Sequence, residues 1–396
     1  MFKFYAIIIT IFFLSLSQGL SFEQNQTILS FQQFFSNNIC FHEQTSLNQL
    51  HARGIDVNDY KKYDIDYGDH SKVEPIQLNQ DEYLVGSKLG SGKFSDVYLG
   101  YNKSNNYEKI LIKILRPNKI EKVQREISIL TKVNSIENVP KFYGITVDKY
   151  YQVPSLFFEY IQGNTLKNII QRFNEIDIRY YSYILIETIY QAHKIGVIHR
   201  DIKSANIIIN HEKRVLKVID WGLSDIYFPY SFNFCKIGTV NYKAPELILT
   251  DSYHINITPA VDIWASGVII FQMMINSVPL IKGHNSYTAL LDIIKIFGYK
   301  DVMRLSSWSG IPLNPQIYKE IQENKIYTEK GKGLKQLIDQ DNVKYADPLG
   351  LDLIDKMLKI LPNERISAKE ALDHPYFDKI RQIIQTQRKN QNKKKG

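Results

Sequence analysis

Cysteine and long hydrophobic runs are the two things that this 396-residue sequence has least of. Its only cysteines are Cys40 and Cys235, so no disulfide framework holds the fold together and stability must come from a core. One strongly apolar run, Ala6 to Leu16, falls short of the roughly 20 apolar residues that span a bilayer. A permanent membrane anchor is therefore not expected. With 44% hydrophobic residues, the chain can still bury a sizeable core.

An excess of charge of one sign is also absent from most of the chain. The formal net charge is +8, but seven Lys and Arg and no acidic residue lie between Lys379 and Gly396. Without these seven the rest carries only +1, which argues against a specific nucleic-acid partner. Residues 378–396 have too little apolar surface to fold alone, and we expect a disordered basic tail. A nuclear-import or polyanion contact is the alternative for this tail.

The first 82 residues divide into two segments. Lys3 precedes the apolar run, and Ser17 to Gly19 offers small residues where a signal peptidase could cut. Residues 1–19 are therefore predicted to be a secretory signal peptide. Residues 20–82 are mostly polar and irregular, and we interpret them as a lead-in segment.

From Tyr83 onward, the apolar pattern predicts a β-rich unit followed by a helical one. In the first unit, short apolar runs separated by glycines predict strands, and Ile120 to Val133 has a helical spacing. The expected strands are Leu84 to Leu89, Val97 to Tyr101, Lys109 to Leu115, Val139 to Val147 and Leu156 to Ile161. The expected helices of the second unit are Ile176 to Ile195, Val261 to Ile275, Leu290 to Phe297, Gly350 to Ile360 and Ala368 to Leu372. The sequence thus predicts an α+β fold with two lobes: a small β-rich lobe with one helix over 83–160 and a larger, mainly α-helical lobe over 161–377.

Two features of the β-rich unit point to chemistry. After Leu89, the pair Gly90 and Gly92 lies between two strands, where glycines let a backbone approach phosphate groups closely. A glycine pair alone is more often a plain turn. Further on, Lys113 stands in an apolar strand, where a buried cation needs a partner, and Glu126 on the next helix can supply it.

The helical unit contains the most specific patterns. Residues 197–209 read V-I-H-R-D-I-K-S-A-N-I-I-I, which matches the H-R-D-x-K-x-x-N catalytic loop of protein kinases. Asp220-Trp-Gly222 follows an apolar strand, in the place of the kinase Asp-Phe-Gly metal motif. The chain therefore resembles the eukaryotic protein kinases.

Three further patterns match structural positions of that family. Ala244-Pro-Glu246 closes the activation segment, and Asp262-x-Trp264-x-x-Gly267 opens the next long helix. Arg365 lies where the family has an arginine paired with the glutamate at 246. All these motifs occur in the family's order and spacing, so a set of unrelated polar residues is a poor alternative.

The resemblance to protein kinases implies a role for each polar motif residue. Asp201 would orient the substrate hydroxyl and accept its proton, and Lys203 would neutralise charge on the transferred phosphoryl group. Asn206 and Asp220 would hold Mg²⁺.

Nucleotide binding is implied by the same resemblance. Lys113, held by Glu126, would contact the α and β phosphates of ATP, and the backbone of 159–161 would form the hinge beside the base. Leu111 would contribute to the apolar pocket of the base, whose side chains also serve the core. The nucleotide-binding residues so implied are Leu89, Gly90, Gly92, Val97, Lys113, Glu126, Phe158, Glu159, Ile161 and Ile208.

Within the kinases, the sequence is most similar to the catalytic (alpha) subunit of casein kinase II, over about residues 51–380. Trp221 replaces the common phenylalanine of the metal motif, as in that family, whereas Ser204 departs from the family's proline. Residues 51–67 resemble the segment that packs on the activation loop there and keeps the kinase active without a phosphorylation switch. The resemblance further implies ATP or GTP as donor, Mg²⁺, Ser/Thr residues of protein substrates, and a regulatory beta subunit as a possible partner.

Departures from the family concentrate at the substrate site. The family's lysine run before the first helix is reduced to Lys119 and Lys122, and Val240 replaces one of three activation-segment cations, leaving Lys236 and Lys243. We expect a preference for acidic residues after the target Ser or Thr, weakened at the first downstream position.

Two alternatives stay open. A pseudokinase scaffold would keep the fold and lose phosphoryl transfer, although every catalytic motif is present. A secretory-pathway kinase with other substrates would fit the signal-like start, whereas the casein kinase II family is otherwise cytoplasmic and nuclear.

Overall fold

The computed structural model describes residues 65–148, 153–228, 233–234, 237–249, 254–275, 279–338, 346–384 and 386. The predicted signal peptide, the lead-in up to residue 64, Lys236 and most of the basic tail lie outside these residues, so the predictions made for them stay predictions. The start of the predicted disordered tail is described, and there residues 378–384 are helical, with Ile380 and Ile384 buried. In the described part of the chain, no helix is both long and apolar enough to cross a membrane.

The first lobe is built on an antiparallel five-stranded sheet with the order β1-β2-β3-β5-β4. Its strands are β1 (Tyr83–Ser91), β2 (Ser95–Asn102), β3 (Glu108–Leu115), β4 (Phe142–Val147) and β5 (Pro154–Glu159). Ile110, Ile112 and Phe157 form a buried cluster on one face of the sheet. Since side chains alternate between faces, Lys113 points to the opposite face.

One helix, α1 (Ile120–Val133), lies between β3 and β4 in the chain and has the predicted bounds. Its apolar stripe buries residues such as Ile127 and Leu130, while its first turn is exposed. The helix contacts the turn Trp221–Leu223 of the second lobe, which brings the half-buried Glu126 to the region between the lobes.

The second lobe consists of helices around a buried central one. The helices are α2 (Leu166–Ile169), α3 (Glu175–Lys194), α4 (Pro245–Leu249), α5 (Ala260–Met274), α6 (Ser286–Phe297), α7 (Tyr299–Ser309), α8 (Pro315–Glu323), α9 (Pro348–Met357) and α10 (Ala368–Leu372). Every residue of α5 is buried, and α3 and α9 contact it. This lobe also contains the short strands β6 (Asn164–Thr165), β7 (Val197–Ile198), β8 (Ile207–Asn210), β9 (Val215–Val218), β10 (Asp225–Ile226), β11 (Asn233–Phe234) and β12 (His254–Ile255).

The predicted α+β fold, with a sheet in the first lobe and helices in the second, is confirmed. Helix α10 also has the predicted bounds. Strand β4 begins at Phe142 rather than Val139, and β5 is shifted by two residues toward the start of the chain. Helices α7 and α8 were not predicted, because few of their side chains are buried; in α8 only Ile317 is.

The end of the lead-in is less irregular than predicted. Ile145 N on β4 donates to Ile76 O at 2.9 Å, and Leu78 N donates to Ile145 O at 2.8 Å, which adds a parallel bridge to the sheet edge. Gly144 has φ +144°, and a Cβ there would lie 2.3 Å from Ile76 O. This close approach requires glycine.

Candidate active site

Lys113 lies at the centre of a cluster of three charges. Its Nζ is 2.7 Å from Glu126 Oε1 on α1 and 3.1 Å from Asp220 Oδ1, which follows β9. Burial lowers the pKa of Lys113, but the charges of Glu126 and Asp220 outweigh burial and raise that pKa above its ordinary value. Lys113 is therefore a firmly held ammonium, in contact with the glutamate that the sequence paired with it.

The catalytic-loop residues form a second cluster around Asp201, which is buried. Lys203 Nζ donates to Asp201 Oδ2 at 2.6 Å, and Thr239 Oγ1 donates to Asp201 Oδ1 at 2.8 Å. Lys203 also donates to Thr239 Oγ1 at 3.2 Å. Asn206 Nδ2 donates to Asp201 O at 3.0 Å, so its amide nitrogen is occupied and its carbonyl oxygen is the remaining acceptor. Asp201, Lys203 and Asn206 are thus brought together as predicted from the motif.

Asp262, at the start of α5, holds the backbone of the catalytic loop. Its carboxylate accepts hydrogen bonds from His199 N and Arg200 N, both at 2.8 Å, and from His193 Nε2 at 3.0 Å. Arg200 has φ +65°, a conformation that costs a non-glycine residue about 1–2 kcal/mol. Burial raises the pKa of Asp262, but the hydrogen bond and charge of His193 outweigh it, so the pKa lies below its ordinary value.

Asp220 is held in a left-handed conformation, with φ +62°. The next residue, Trp221, is buried, donates Nε1 to Val218 O at 3.1 Å and packs on the His199 ring at 4.6 Å between centroids. Burial raises the pKa of Asp220, but the charge of Lys113 outweighs it and lowers that pKa. Asp220 is therefore a carboxylate at neutral pH, with a backbone fixed by its buried neighbour.

The predicted base-binding side chains, except Ile161, which follows β5, lie on strands that border the region between the lobes. Val97 on β2 is opposite Lys113 on β3, and Leu111 on β3 is opposite Phe158 on β5. In the second lobe, Ile208 lies on β8. The apolar set Val97, Leu111, Phe158, Ile161 and Ile208 is half-buried throughout, as expected of side chains that line a cleft rather than fill a core.

The glycine-rich turn between β1 and β2 is open. Leu89 is 49% exposed, and a Cβ at Gly90 would meet nothing within 4 Å. Gly92 N donates to Ser95 O at 2.8 Å, which closes the turn. The space above Gly90 leaves room for a ligand beside the backbone.

Glu159, at the predicted hinge, is tied to both lobes. Its backbone N donates to Lys141 O at 2.8 Å, and Lys217 Nζ on β9 lies 3.3 Å from Glu159 Oε2. Lys217 also donates to Glu137 O at 2.7 Å and Val139 O at 3.2 Å. Lys217 thus links the hinge residue Glu159 to strand β9 of the second lobe.

The proposed Mg²⁺ ligands suit a hard cation. The Asp220 carboxylate, whose side chain is 48% exposed, and the carbonyl oxygen of Asn206 are both oxygen donors. No cluster of three or more His, Cys, Asp or Glu side chains that could hold a metal ion occurs among the described residues. The two oxygens of Asp220 and Asn206 fit Mg²⁺, which is usually bound by few protein oxygens together with phosphate and water.

The predicted substrate-binding cations differ in accessibility. Lys119 and Lys122 are exposed at the start of α1, and Lys122 Nζ lies 5.9 Å from the centroid of the Phe94 ring. Lys243 is only 6% exposed, which limits its reach toward a substrate. Lys236 lies outside the described residues, and its role stays a prediction.

Two functional candidates were missed by the sequence analysis. Thr239 completes the hydrogen bonds around Asp201, and Asp225 pairs with Arg200 at 3.0 Å. Both are single polar residues without a regular spacing to the motifs they contact. Only the family resemblance of the surrounding segments could have pointed to them.

The comparison with protein families agrees with this geometry. The family model described as protein kinase domain matches residues 83–377, which is well over half of the chain. The chain therefore belongs to the protein kinase superfamily. Protein phosphotransferase activity with ATP and protein substrates follows from that membership.

Proposed function

We propose that this protein is a serine/threonine kinase of the casein kinase II catalytic-subunit type, which transfers the γ-phosphate of ATP to Ser or Thr of acidic protein substrates. The observation that carries the proposal is the pair of charge clusters, Lys113 with Glu126 and Asp220, and Asp201 with Lys203 and Thr239. They supply the cation, carboxylates and base that phosphoryl transfer needs.

In the proposed mechanism, Asp201 accepts the proton of the substrate hydroxyl. Lys203 and Asn206 both donate to Oδ2, at 2.6 and 3.3 Å, whereas only Thr239 donates to Oδ1, which orients the carboxylate and leaves acceptor capacity on Oδ1 for that hydroxyl. Lys203, which binds the same carboxylate, would neutralise charge on the transferred group.

Lys113 anchors the nucleotide phosphates, and Glu126 fixes the direction of its side chain. The Asp220 and Asn206 oxygens would hold Mg²⁺, which when bound offsets negative charge on the phosphate oxygens. The half-buried apolar side chains around Phe158 and Ile208 would sandwich the base.

Activity without a phosphorylation switch is supported by the contacts of Asp225. Arg200 of the catalytic loop pairs with Asp225 at 3.0 Å, and Arg125 of α1 and His70 of the lead-in lie at 3.6 and 3.4 Å. In switched kinases, arginines of this kind order the activation loop by binding an added phosphate. Here an internal carboxylate satisfies Arg200. The same proposal includes three features that the resemblance implies: packing of residues 51–67 on the activation loop, a regulatory beta subunit as a possible partner, and GTP as a second phosphate donor.

The test is a phosphorylation assay of the purified chain with Mg²⁺-ATP and an oriented Ser/Thr peptide library. We expect transfer to peptides with downstream acidic residues, unchanged after phosphatase treatment. Asp201→Asn and Lys113→Met should each lower kcat by at least about 100-fold, since positioned base and charge contribute about that much. Lys213→Met, at an exposed lysine of the second lobe, is the control.

Two results would contradict the proposal. Nucleotide binding without turnover by the wild-type chain would favour the pseudokinase alternative. A basic or proline-directed consensus would reject the casein kinase II type while leaving kinase activity itself in place.

A further inference from the structure

Residues 239–242, named here the 239–242 loop, lie directly beside the catalytic base. Thr239 Oγ1 donates to Asp201 Oδ1 at 2.8 Å, and Tyr242 N donates to Thr239 O at 2.9 Å, which closes a tight turn. A substrate hydroxyl that reaches Asp201 must approach next to this turn. The position of the loop therefore bears on how a protein substrate binds.

A second tie joins the far end of the loop to the catalytic loop. Tyr242 OH lies 2.8 Å from Ser204 Oγ and 3.3 Å from Gln272 Oε1 on α5. Because the amide oxygen of Gln272 can only accept, Tyr242 donates its single hydrogen to Gln272 and Ser204 donates to Tyr242. Ser204 and Gln272 are both buried, so water competes little for these bonds.

A third contact holds Asn241, so that among the side chains of the loop only Val240 has no polar contact. Asn241 Nδ2 donates to Ile281 O at 2.8 Å and to Gly283 O at 3.1 Å, in the segment before α6. Val240, the remaining member, has an apolar, half-buried side chain. With its neighbours held by the second lobe, Val240 is the side chain that the loop can offer to a substrate.

We propose that Ser204 and Tyr242 are positioning residues that set the 239–242 loop for protein substrates and leave nucleotide binding unaffected. This inference rests on the proposed kinase function. Ser204 opens the turn Ser204–Asn206, where proline is tolerated and the resembled family has it. Because the backbone at this position does not require serine, we attribute the role of Ser204 to its hydroxyl group.

The test measures KM and kcat separately for peptide and for ATP, with thermal unfolding as the check on folding. Ser204→Ala and Ser204→Pro should each raise the peptide KM about 3- to 10-fold, the effect of one lost hydrogen bond, with the ATP KM unchanged. Ser204→Thr, which keeps the hydroxyl, should restore the wild-type peptide KM. Tyr242→Phe, which also removes the bond to Gln272, should raise the peptide KM at least as much as Ser204→Ala. Adding Ser204→Ala to Tyr242→Phe should cause no further increase, since the bond between the two residues is removed only once.

The outcomes separate this inference from the proposed function. A wild-type chain that phosphorylates peptides, with Ser204 variants that leave the peptide KM unchanged, would overturn this inference alone. Equal changes in the peptide and ATP KM values, or effects that multiply in the double variant, would also overturn it, because they indicate general loosening. A wild-type chain that phosphorylates nothing would overturn both.

Discussion

Replacement of Arg365 by lysine should destabilise the second lobe severely. The Arg365 side chain has no exposed surface, and its two terminal nitrogens bind the two carboxylate oxygens of Glu246 at 2.8 and 2.9 Å. Its other hydrogens reach backbone carbonyls of Lys359, Ala260 and Ile360 at 2.9, 2.8 and 3.2 Å. All five donors of the guanidinium are therefore used.

The expected loss of unfolding free energy follows from the number of hydrogen-bond donors on each side chain. A lysine ammonium keeps the positive charge but has three donors, so at least two of the five acceptors lose their partner. Each buried acceptor left unpaired costs about 1–3 kcal/mol, which gives about 2–4 kcal/mol for Arg365→Lys after partial relaxation. Arg365→Met, which leaves Glu246 as an unpaired buried charge, should cost about 3–5 kcal/mol.

The assay is unfolding in guanidinium chloride, monitored by circular dichroism, with Arg304→Lys as the control. Arg304 is 47% exposed and pairs with Asp301 and Glu364 on the surface, so its replacement should change the unfolding free energy by less than about 0.5 kcal/mol. An Arg365→Lys variant as stable as that control would refute the reasoning. It would mean that charge alone, rather than the geometry of the guanidinium, holds Glu246 in place.

Two further predictions concern the hinge and the stability of the protein in acid. Lys217→Met should raise the KM for ATP several-fold and lower Tm, because it removes the ammonium that joins Glu159 to two backbone carbonyls. Lys213→Met is the control, and an equal KM for ATP in the two variants would contradict this prediction. The pKa values of Asp220, Asp225 and Asp262 all lie below the ordinary 3.8 in the folded state, so the unfolded state binds more protons in acid. Tm should therefore stay nearly level down to about pH 5 and fall steeply below about pH 4. The fall should be less steep in Asp225→Asn, which lacks one of these carboxylates. A Tm that rises on acidification would contradict the prediction.

The parts of the site that could be predicted from the sequence are those whose residues are close in the chain or sit on regular elements. Asp201, Lys203 and Asn206 lie within six residues, so one loop brings them together. Lys113 and Glu126 lie on neighbouring elements whose apolar patterns fix which face each presents. The bounds of α1 followed from the same periodicity.

The parts that could not be predicted depend on long-range folding of short irregular segments. Thr239 reaches Asp201 only because the segment before α4 returns to the catalytic loop, and no periodicity marks that return. The burial of Lys243 is a second case, since a lysine in a polar segment is ordinarily exposed. Asp262 was recognised as structural, but its hydrogen bonds to His199 and Arg200 required the packing of α5 against the catalytic loop.

These differences in accessibility constrain the proposed acidic preference. Of the described cations named for substrates, Lys119 and Lys122 are exposed on α1, whereas Lys243 is buried; Val240, in place of a family arginine, has no charge. An exposed cation contributes about 0.2–1 kcal/mol to an ion pair, and at physiological ionic strength its field fades within about 8 Å. The preference contributed by the α1 lysines must therefore be modest, sensitive to salt and confined to substrate positions that reach the start of α1. If the proposed function holds, we expect selectivity next to the target hydroxyl to depend on the 239–242 loop, through its shape and the apolar side chain of Val240 rather than through charge.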